Sequence, residues 1–438
     1  MNVLKEISSA SRDIKLLWAS VFFRLFAYGL TNQVLTLFLN DLHLSESKIG
    51  WFMSLTLIGD VGCSYVLTWH ADSWGRRRIL VYGSVMMVLS GFIFAYSENF
   101  QLLLLFAIFG VISPSSDEVG PFKSIEESMI AHLTPHNKRP EVYAIHSLVG
   151  TTGAALGAIA CGAFIDLLKY ANLATTDLEC YKLVFLLYAV FAMAKVIIML
   201  LLSENTELEA NHEEVSSPEA LVNDEMAPLL QTAENRKRGL SKETIAVLLK
   251  LLAIFMLDSL GSGFMTSGWM VYYYAKVFLM SSFALGALFF VSKIVMASST
   301  IPSSVMARTF GPVKATLLVQ VPSGIFSILI PFAEACLPLS VILLNLHFAT
   351  TAMDVIPRQV LLTNIIAAKD LTKVMGIVNI GKTLARCIGP IFTGLLASMD
   401  RLWCCYIISG VLVILADCLL AFWFLPVDFK LSKQLNTS

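Results

Sequence analysis

The sequence predicts an all-α membrane protein with twelve transmembrane helices in two pseudo-symmetric six-helix halves. Three observations carry this. Of the 438 residues, 56% are hydrophobic and only 14% charged, and apolar runs long enough to cross a bilayer recur from end to end. A polar stretch interrupts these runs once, near the middle of the chain. Features on either side of that stretch recur at an offset of roughly 232 to 236 positions, the weak internal symmetry that transporters show.

About twelve segments of roughly 20 residues or more can be drawn. They span 15–39, 47–70, 79–96, 101–131, 141–168, 182–202, 244–276, 282–303, 315–333, 337–366, 374–398 and 402–425. In lipid every backbone amide needs a partner within the protein, so runs of this length are helices. The fourth segment is too long for one straight crossing, and Pro114 and Pro121 predict a break in it. If the helices alternate, Arg76 to Arg78, His132 to Arg139, Arg236 to Lys242, Arg308 with Lys314, and Lys369 with Lys373 share one side. The positive-inside rule makes that side cytoplasmic, with both termini. Met1 to Lys15 is mixed polar and charged and is followed by no cleavage pattern, so no cleavable signal peptide is expected.

Residues 1–202 and 244–438 are therefore the two halves, and 203–243 a cytoplasmic linker. Its Glu, Asn, Ser and Pro content predicts disorder. Within it, Glu225-Met226-Ala227-Pro228-Leu229-Leu230 resembles an acidic dileucine signal read by eukaryotic sorting adaptors, with Glu225, Leu229 and Leu230 as its determinants. That would direct the protein to a vacuolar, lysosomal or other endomembrane; the plasma membrane is the alternative. Of the eight cysteines, Cys63, Cys161, Cys387 and Cys418 lie in apolar runs, as buried free thiols do. Cys180 and Cys336 fall in loops on the outer side, where a bridge and free thiols are both open.

Between the second and third segments stands Ala71-Asp72-Ser73-Trp74-Gly75-Arg76-Arg77-Arg78. It resembles the G-x-L-A-D-R-x-G-R-R loop of the major facilitator superfamily, with Ala71, Asp72, Gly75, Arg76 and Arg77 matching and Thr68, His70 and Ser73 departing. The resemblance implies a gating loop, in which Asp72 accepts hydrogen bonds from a neighbouring helix end while Arg76 and Arg77 clamp acids or lipid phosphates. In the second half the loop falls on Arg308-Thr309-Phe310-Gly311, a degenerate copy without the acid. Asp117 to Pro121 falls on Met353 to Pro357, pairing Glu118 with Asp354, and Gly157 to Gly162 falls on Gly389 to Gly394. Gly150, Gly153, Gly157 and Gly162 allow close helix approach. They also resemble the fifth-helix pattern of antiporters in this superfamily, although Ala158 replaces its proline. The arginine that proton antiporters of the superfamily carry in the fourth helix is absent from Phe106 to Gly110; Arg24 could supply that charge.

Charges inside membrane helices are costly and are functional candidates by default. They comprise Arg24, Asp60, Asp117 with Glu118, and Lys123, Glu126 and Glu127 in the first half, and Asp258, Lys293, Asp354, Arg358, Lys382 and Arg386 in the second. Counting ~1.5 Å per residue puts Arg24 roughly 13 Å, and Asp60 and Glu118 roughly 18 Å, from the cytoplasmic helix ends. A pair between Arg24 and either acid would neutralise both. Lys382 and Arg386, four apart, share a helix face at roughly 12 and 18 Å. The resemblance places the first, fourth, seventh and tenth helices around a central cavity, hence Arg24, Glu118, Asp258, Asp354 and Arg358. A carboxyl alternating between a dry setting and an arginine can take up and release a proton, which makes Glu118 and Asp60 the proton-carrier candidates. Tyr272-Tyr273-Tyr274, at the outer end of the seventh helix, reads as an interfacial anchor.

The expected function is secondary transport of a small polar, charged or zwitterionic organic solute by alternating access, with protons as candidate coupling ions. The alternative is a transport-inactive nutrient receptor or sensor on the same scaffold. No nucleophile with a base, metal cluster or phosphate loop points to an enzyme, no repeated filter segment to a channel, and no basic stripe to nucleic acid. No cofactor or metal is expected; the partners are solute, protons, membrane lipid and sorting adaptors, and the protein is expected to be a monomer.

Overall fold

The computed structural model describes residues 10–110, 112, 121–135, 138–207, 242–366 and 368–435. Among them no strand occurs. In the first half the helices are α1 (Arg12–Asp41), α2 (Glu46–Trp69), the single turn α3 (Ala71–Trp74), α4 (Arg76–Tyr96), α5 (Phe100–Phe109), α6 (Pro121–Leu133), α7 (Arg139–Tyr170) and α8 (Asp177–Leu200). In the second they are α9 (Lys242–Phe264), α10 (Ser267–Phe278), α11 (Ser282–Phe310), α12 (Pro312–Leu329), α13 (Leu337–Ala352), α14 (Val355–Ile365), α15 (Ala368–Ala397) and α16 (Trp403–Leu435). Ten spans among the described residues are long and apolar enough to cross a membrane. The other two expected crossings fall on α5 with α6, and on the 30-residue α15, which carries Asp370, Lys373, Lys382 and Arg386.

Three crossings are interrupted, and the interruptions follow from local chemistry. Pro121 opens α6 and Pro357 lies in the first turn of α14, the positions of a helix that tolerate a missing N–H. These are the prolines that the internal repeat superimposes. The seventh crossing, drawn from the sequence as continuous, breaks at Met265–Thr266, between Gly263 and Gly268, where helix propensity is poor. Pro114, the other proline expected to break the fourth crossing, lies outside the described residues.

Packing repeats between the halves. Helix α1 lies along α7 and α8, and α4 along α8; correspondingly α9 lies along α15 and α16, and α12 along α16. Glycine seams explain the close approach. A Cβ on Gly157 of α7 would collide with Phe26 and Gly29 of α1, and one on Gly389 of α15 with Gly263 of α9. The halves meet where α7 packs on α11, α2 on α15, and α10 on α1. Here too glycines face backbone, Gly162 against Ser282 and Gly50 against Gly394.

These contacts gather at the end of the bundle opposite Arg76 to Arg78, and the tyrosines expected as interfacial anchors belong to them. Tyr272, Tyr273 and Tyr274 are all buried. The Tyr272 hydroxyl lies 3.2 Å from Asn40 Oδ1 and 3.1 Å from Glu46 Oε1 in the other half. Tyr273 donates to Glu334 and Tyr274 lies 2.8 Å from the Ser340 hydroxyl. Lys276 stands 3.6 Å from Glu46 and 3.5 Å from Asp400. The cluster links the halves at that end, where α10, after the break at Thr266, packs on α1. Cys180 and Cys336 are free thiols, Cys180 buried and Cys336 exposed, which closes the disulfide alternative.

The seams give a direct expectation. Gly157→Leu forces α1 and α7 apart and should cost about 3 kcal/mol, lowering the thermal midpoint in detergent micelles. Gly62→Ala, whose added methyl meets nothing within 4 Å, should leave the midpoint unchanged or raise it, since alanine is the better helix former.

Candidate functional site

Each half is built around one buried ion pair. In the first, Glu126 of α6 is wholly buried and Arg24 of α1 donates to its Oε2 at 2.6 Å. Ser20, one turn from Arg24, donates to Oε1 at 2.9 Å. Lys195 of α8 and His146 of α7 approach the same carboxylate at 3.7 and 3.9 Å. The ring of Phe122 closes the cluster, with Lys195 Nζ 3.6 Å from its centroid. One carboxylate thus ties together four helices.

In the second half Arg358 of α14 grips Asp258 of α9 with both terminal nitrogens, at 2.6 and 3.1 Å. Its Nε pairs with Asp354, one turn earlier at the break before α14. Asp354 also accepts from Gln320 of α12 at 2.9 Å. Lys382 and Arg386 of α15 lie within electrostatic reach of Asp258. Lys382 Nζ and the Arg358 guanidinium both lie near the Phe255 ring, at 5.9 and 5.4 Å. Asp417 of α16 is wholly buried, and neither of its oxygens has a hydrogen-bond partner.

The two clusters are charge-inverted copies. The offset that relates the halves carries Arg24 onto Asp258 and Glu126 onto Arg358. In the first, a central anion sits among cations from the first and last helices of its half. In the second, a central cation sits among anions, with Asp258 and Asp417 on the corresponding helices.

This geometry corrects the sequence reading. Arg24 pairs with Glu126 and not with Asp60; the expected alternative, Glu118, is a residue outside the described ones. Shared depth left the azimuth free, and Glu126 lies on the side of α6 that meets α1. Asp60, 2% exposed, has both oxygens without a hydrogen-bond partner; Cys63, Tyr82, Ile108 and Phe122 line the small cavity beside it. Lys293 is half-buried on α11. Glu118, the linker residues Glu225, Leu229 and Leu230, and the side chain of Asp72 lie outside the described residues. Lys195, His146 and Asp417 escaped the sequence reading, although Lys195 and Asp417 carry the signal that found the others, a lone charge within an apolar run.

The gating loop and its second copy share one backbone anchor. Gly75 and Gly311 both adopt left-handed backbone, at φ of 93° and 85°, before α4 and α12. The first amides of each helix then receive a carboxylate from elsewhere. Glu207 accepts from Arg76 and Arg77 N–H at 2.7 and 2.9 Å, and Asp428 from Val313 and Lys314 N–H at 3.1 and 2.7 Å. Each copy is thus anchored by an acid from beyond the last crossing or on the last helix of its half, Glu207 and Asp428, while the loop acid Asp72 falls on Arg308. The Arg77 side chain donates to the carbonyls of Met199 and Leu200, at 3.3 and 2.5 Å, capping α8.

A family model described as Major Facilitator Superfamily matches residues 17–349 and 251–438. The chain belongs to the Major Facilitator Superfamily. Members of this superfamily are transporters and not enzymes. The chain is 70% identical over 442 residues to the uncharacterized membrane protein YJR124C of Saccharomyces cerevisiae, covering 99% of each. It is 25% identical to the quinolone resistance protein NorA of Staphylococcus aureus over 147 residues, 34% of this chain and 37% of NorA. A crystal structure of a bacterial homolog of the human lysosomal transporter Spinster, inward-facing and unoccupied, superimposes with a TM-score of 0.70 at 14% identity. It covers 93% of this chain and 95% of that one.

Removing the central anion of the first cluster takes a buried counter-charge from Arg24 and Lys195. Glu126→Gln should therefore cost about 3–5 kcal/mol, whereas Arg24→Met/Glu126→Gln/Lys195→Met should recover most of that loss. Thermal unfolding of the purified protein reads both, and a single variant as stable as wild type would contradict the assignment of Glu126 as the shared partner.

Proposed function

We propose that this protein is a secondary active transporter that carries a small polar or charged organic solute across a eukaryotic endomembrane by alternating access, coupled to protons. The observation that carries the reading is the unequal sealing of the two ends. At one, α10 and its tyrosines bridge the halves. At the other, among the described residues, α4 is anchored by Glu207, just past α8, and α12 by Asp428 of α16, with neither anchor reaching across to the opposite six-helix half. Such an arrangement closes a path on one side and leaves the halves free to rock about the glycine seams.

The end bearing Arg76 to Arg78, Arg308 and Lys314 is then cytoplasmic, together with both termini, and Asp72, Gly75, Arg76 and Arg77 hold it in register through the cycle. Cargo recognition falls to groups that solvent can reach. Arg358, Lys382 and Arg386 are half-buried, and two of them flank Phe255, so an anionic or zwitterionic solute with an apolar part suits this face. Arg24, 4% exposed and held by Glu126, maintains the first half and does not touch cargo. Adaptors reading Glu225, Leu229 and Leu230 would set the compartment.

Uptake of a panel of labelled organic anions and zwitterions into proteoliposomes, with and without a pH gradient, tests the reading. Wild type should show saturable uptake that the gradient drives. Lys382→Met should raise KM about tenfold, the cost of one charged hydrogen bond, with little change in kcat. Folded protein that moves no solute would contradict transport and favour a receptor on the same scaffold.

A further inference from the structure

Three carboxylates of the second half, Asp258, Asp354 and Asp417, surround one guanidinium. Arg358 can satisfy two of them, and in this structure they are Asp258 and Asp354. Asp417 is left over. It is wholly buried, and neither oxygen has a hydrogen-bond partner. A buried carboxylate with no donor is far costlier than a neutral acid in the same place, so this geometry needs a proton where the third ion pair is missing.

The surroundings of Asp417 set what it can respond to. Helix α9 brings Asp258, and the segment around α14 brings Asp354 and Arg358; these are the charges felt at Asp417. Helix α12 packs along α16 and contributes uncharged Gln320 and Thr316 near Asp354. From α15, Lys382 and Arg386 act on Asp258. Arg358 is therefore the cation whose position decides the state of Asp417. It stands on α14, directly after the break at Asp354, the segment best able to shift against α16 when the halves rock.

We propose that Asp417 is the proton-carrying carboxyl of the second half, protonated while Arg358 is held by Asp258 and Asp354 and deprotonated when Arg358 turns to it. The proton leaves the Asp417 oxygen for cavity water as the guanidinium replaces it, while Asp354 stays ionised and keeps its hydrogen bond from Gln320. This rests on the proton-coupled transport reading, and gives it a site that differs from Asp60 and Glu118.

Infrared difference spectroscopy of the full-length protein in lipid nanodiscs, titrated with pH, tests the site itself. Wild type should show the carbonyl stretch of a buried neutral carboxylic acid that Asp417→Asn lacks and Asp417→Glu restores at a shifted position. Asp417→Asn, which mimics the neutral acid, should unfold at the wild-type temperature. In proteoliposomes it should keep gradient-independent solute exchange while losing at least tenfold in gradient-driven uptake, and Asp417→Glu should recover coupling. Identical carbonyl regions in wild type and Asp417→Asn, or full gradient-driven uptake by Asp417→Asn, would overturn the proposal. A wild type that moves no solute defeats the transport reading alone, and the infrared band still decides whether Asp417 binds the proton.

Discussion

A charge buried in a low-dielectric interior must find a partner, and this requirement organises both halves of the molecule. The ion pair of Arg24 with Glu126 and that of Asp258 with Arg358 each join the first helix of a half to the second part of its broken fourth helix. Breaking such a pair leaves an uncompensated charge that costs several kcal/mol, far more than the intact pair contributes relative to apolar packing. The pairs therefore act as locks. Additional charges from α8 and α16 extend each lock to the last helix of its half.

The inversion of sign between the two locks matters for function. A central anion shared among Arg24, Lys195 and His146 is sealed from solvent. A central cation shared among three acids is more open and leaves one acid without a partner. In the first arrangement Ser20, Arg24, His146 and Lys195 all meet at Glu126. In the second, one guanidinium serves more carboxylates than it can satisfy, so that half holds the element able to exchange partners.

Much of this could be read from the sequence, for identifiable reasons. Long apolar runs fix helices because lipid offers the backbone no partners, and the repeated Gly157 and Gly389, with Pro121 and Pro357, marked the seams and breaks that the fold uses. Asp258, Arg358, Asp354, Lys382 and Arg386 were legible as lone intramembrane charges, and the structure gathers them. The pairing of Arg24 with Glu126 was not legible, because depth along a helix supplies one coordinate and leaves the azimuth free. Lys195 and Asp417 stood in plain view within apolar runs, yet nothing periodic tied them to the other charges. The anchors Glu207 and Asp428 lie far along the chain from the turns at Gly75 and Gly311, and no local pattern connects them.

Under the proposed alternating access each locked half should move as a unit, closing one end as the other opens. Nitroxide pairs test it by electron–electron resonance in nanodiscs. Arg78 with Thr309 reports the basic end between halves, Leu173 with Phe332 the opposite end, and Arg78 with Lys138 the interior of one half; all five positions are exposed. As pH is varied, the two distances between halves should change in opposite directions while the distance within the half stays constant. Distances between halves that stay fixed or change together, or a distance within the half that changes as much as they do, would contradict the account.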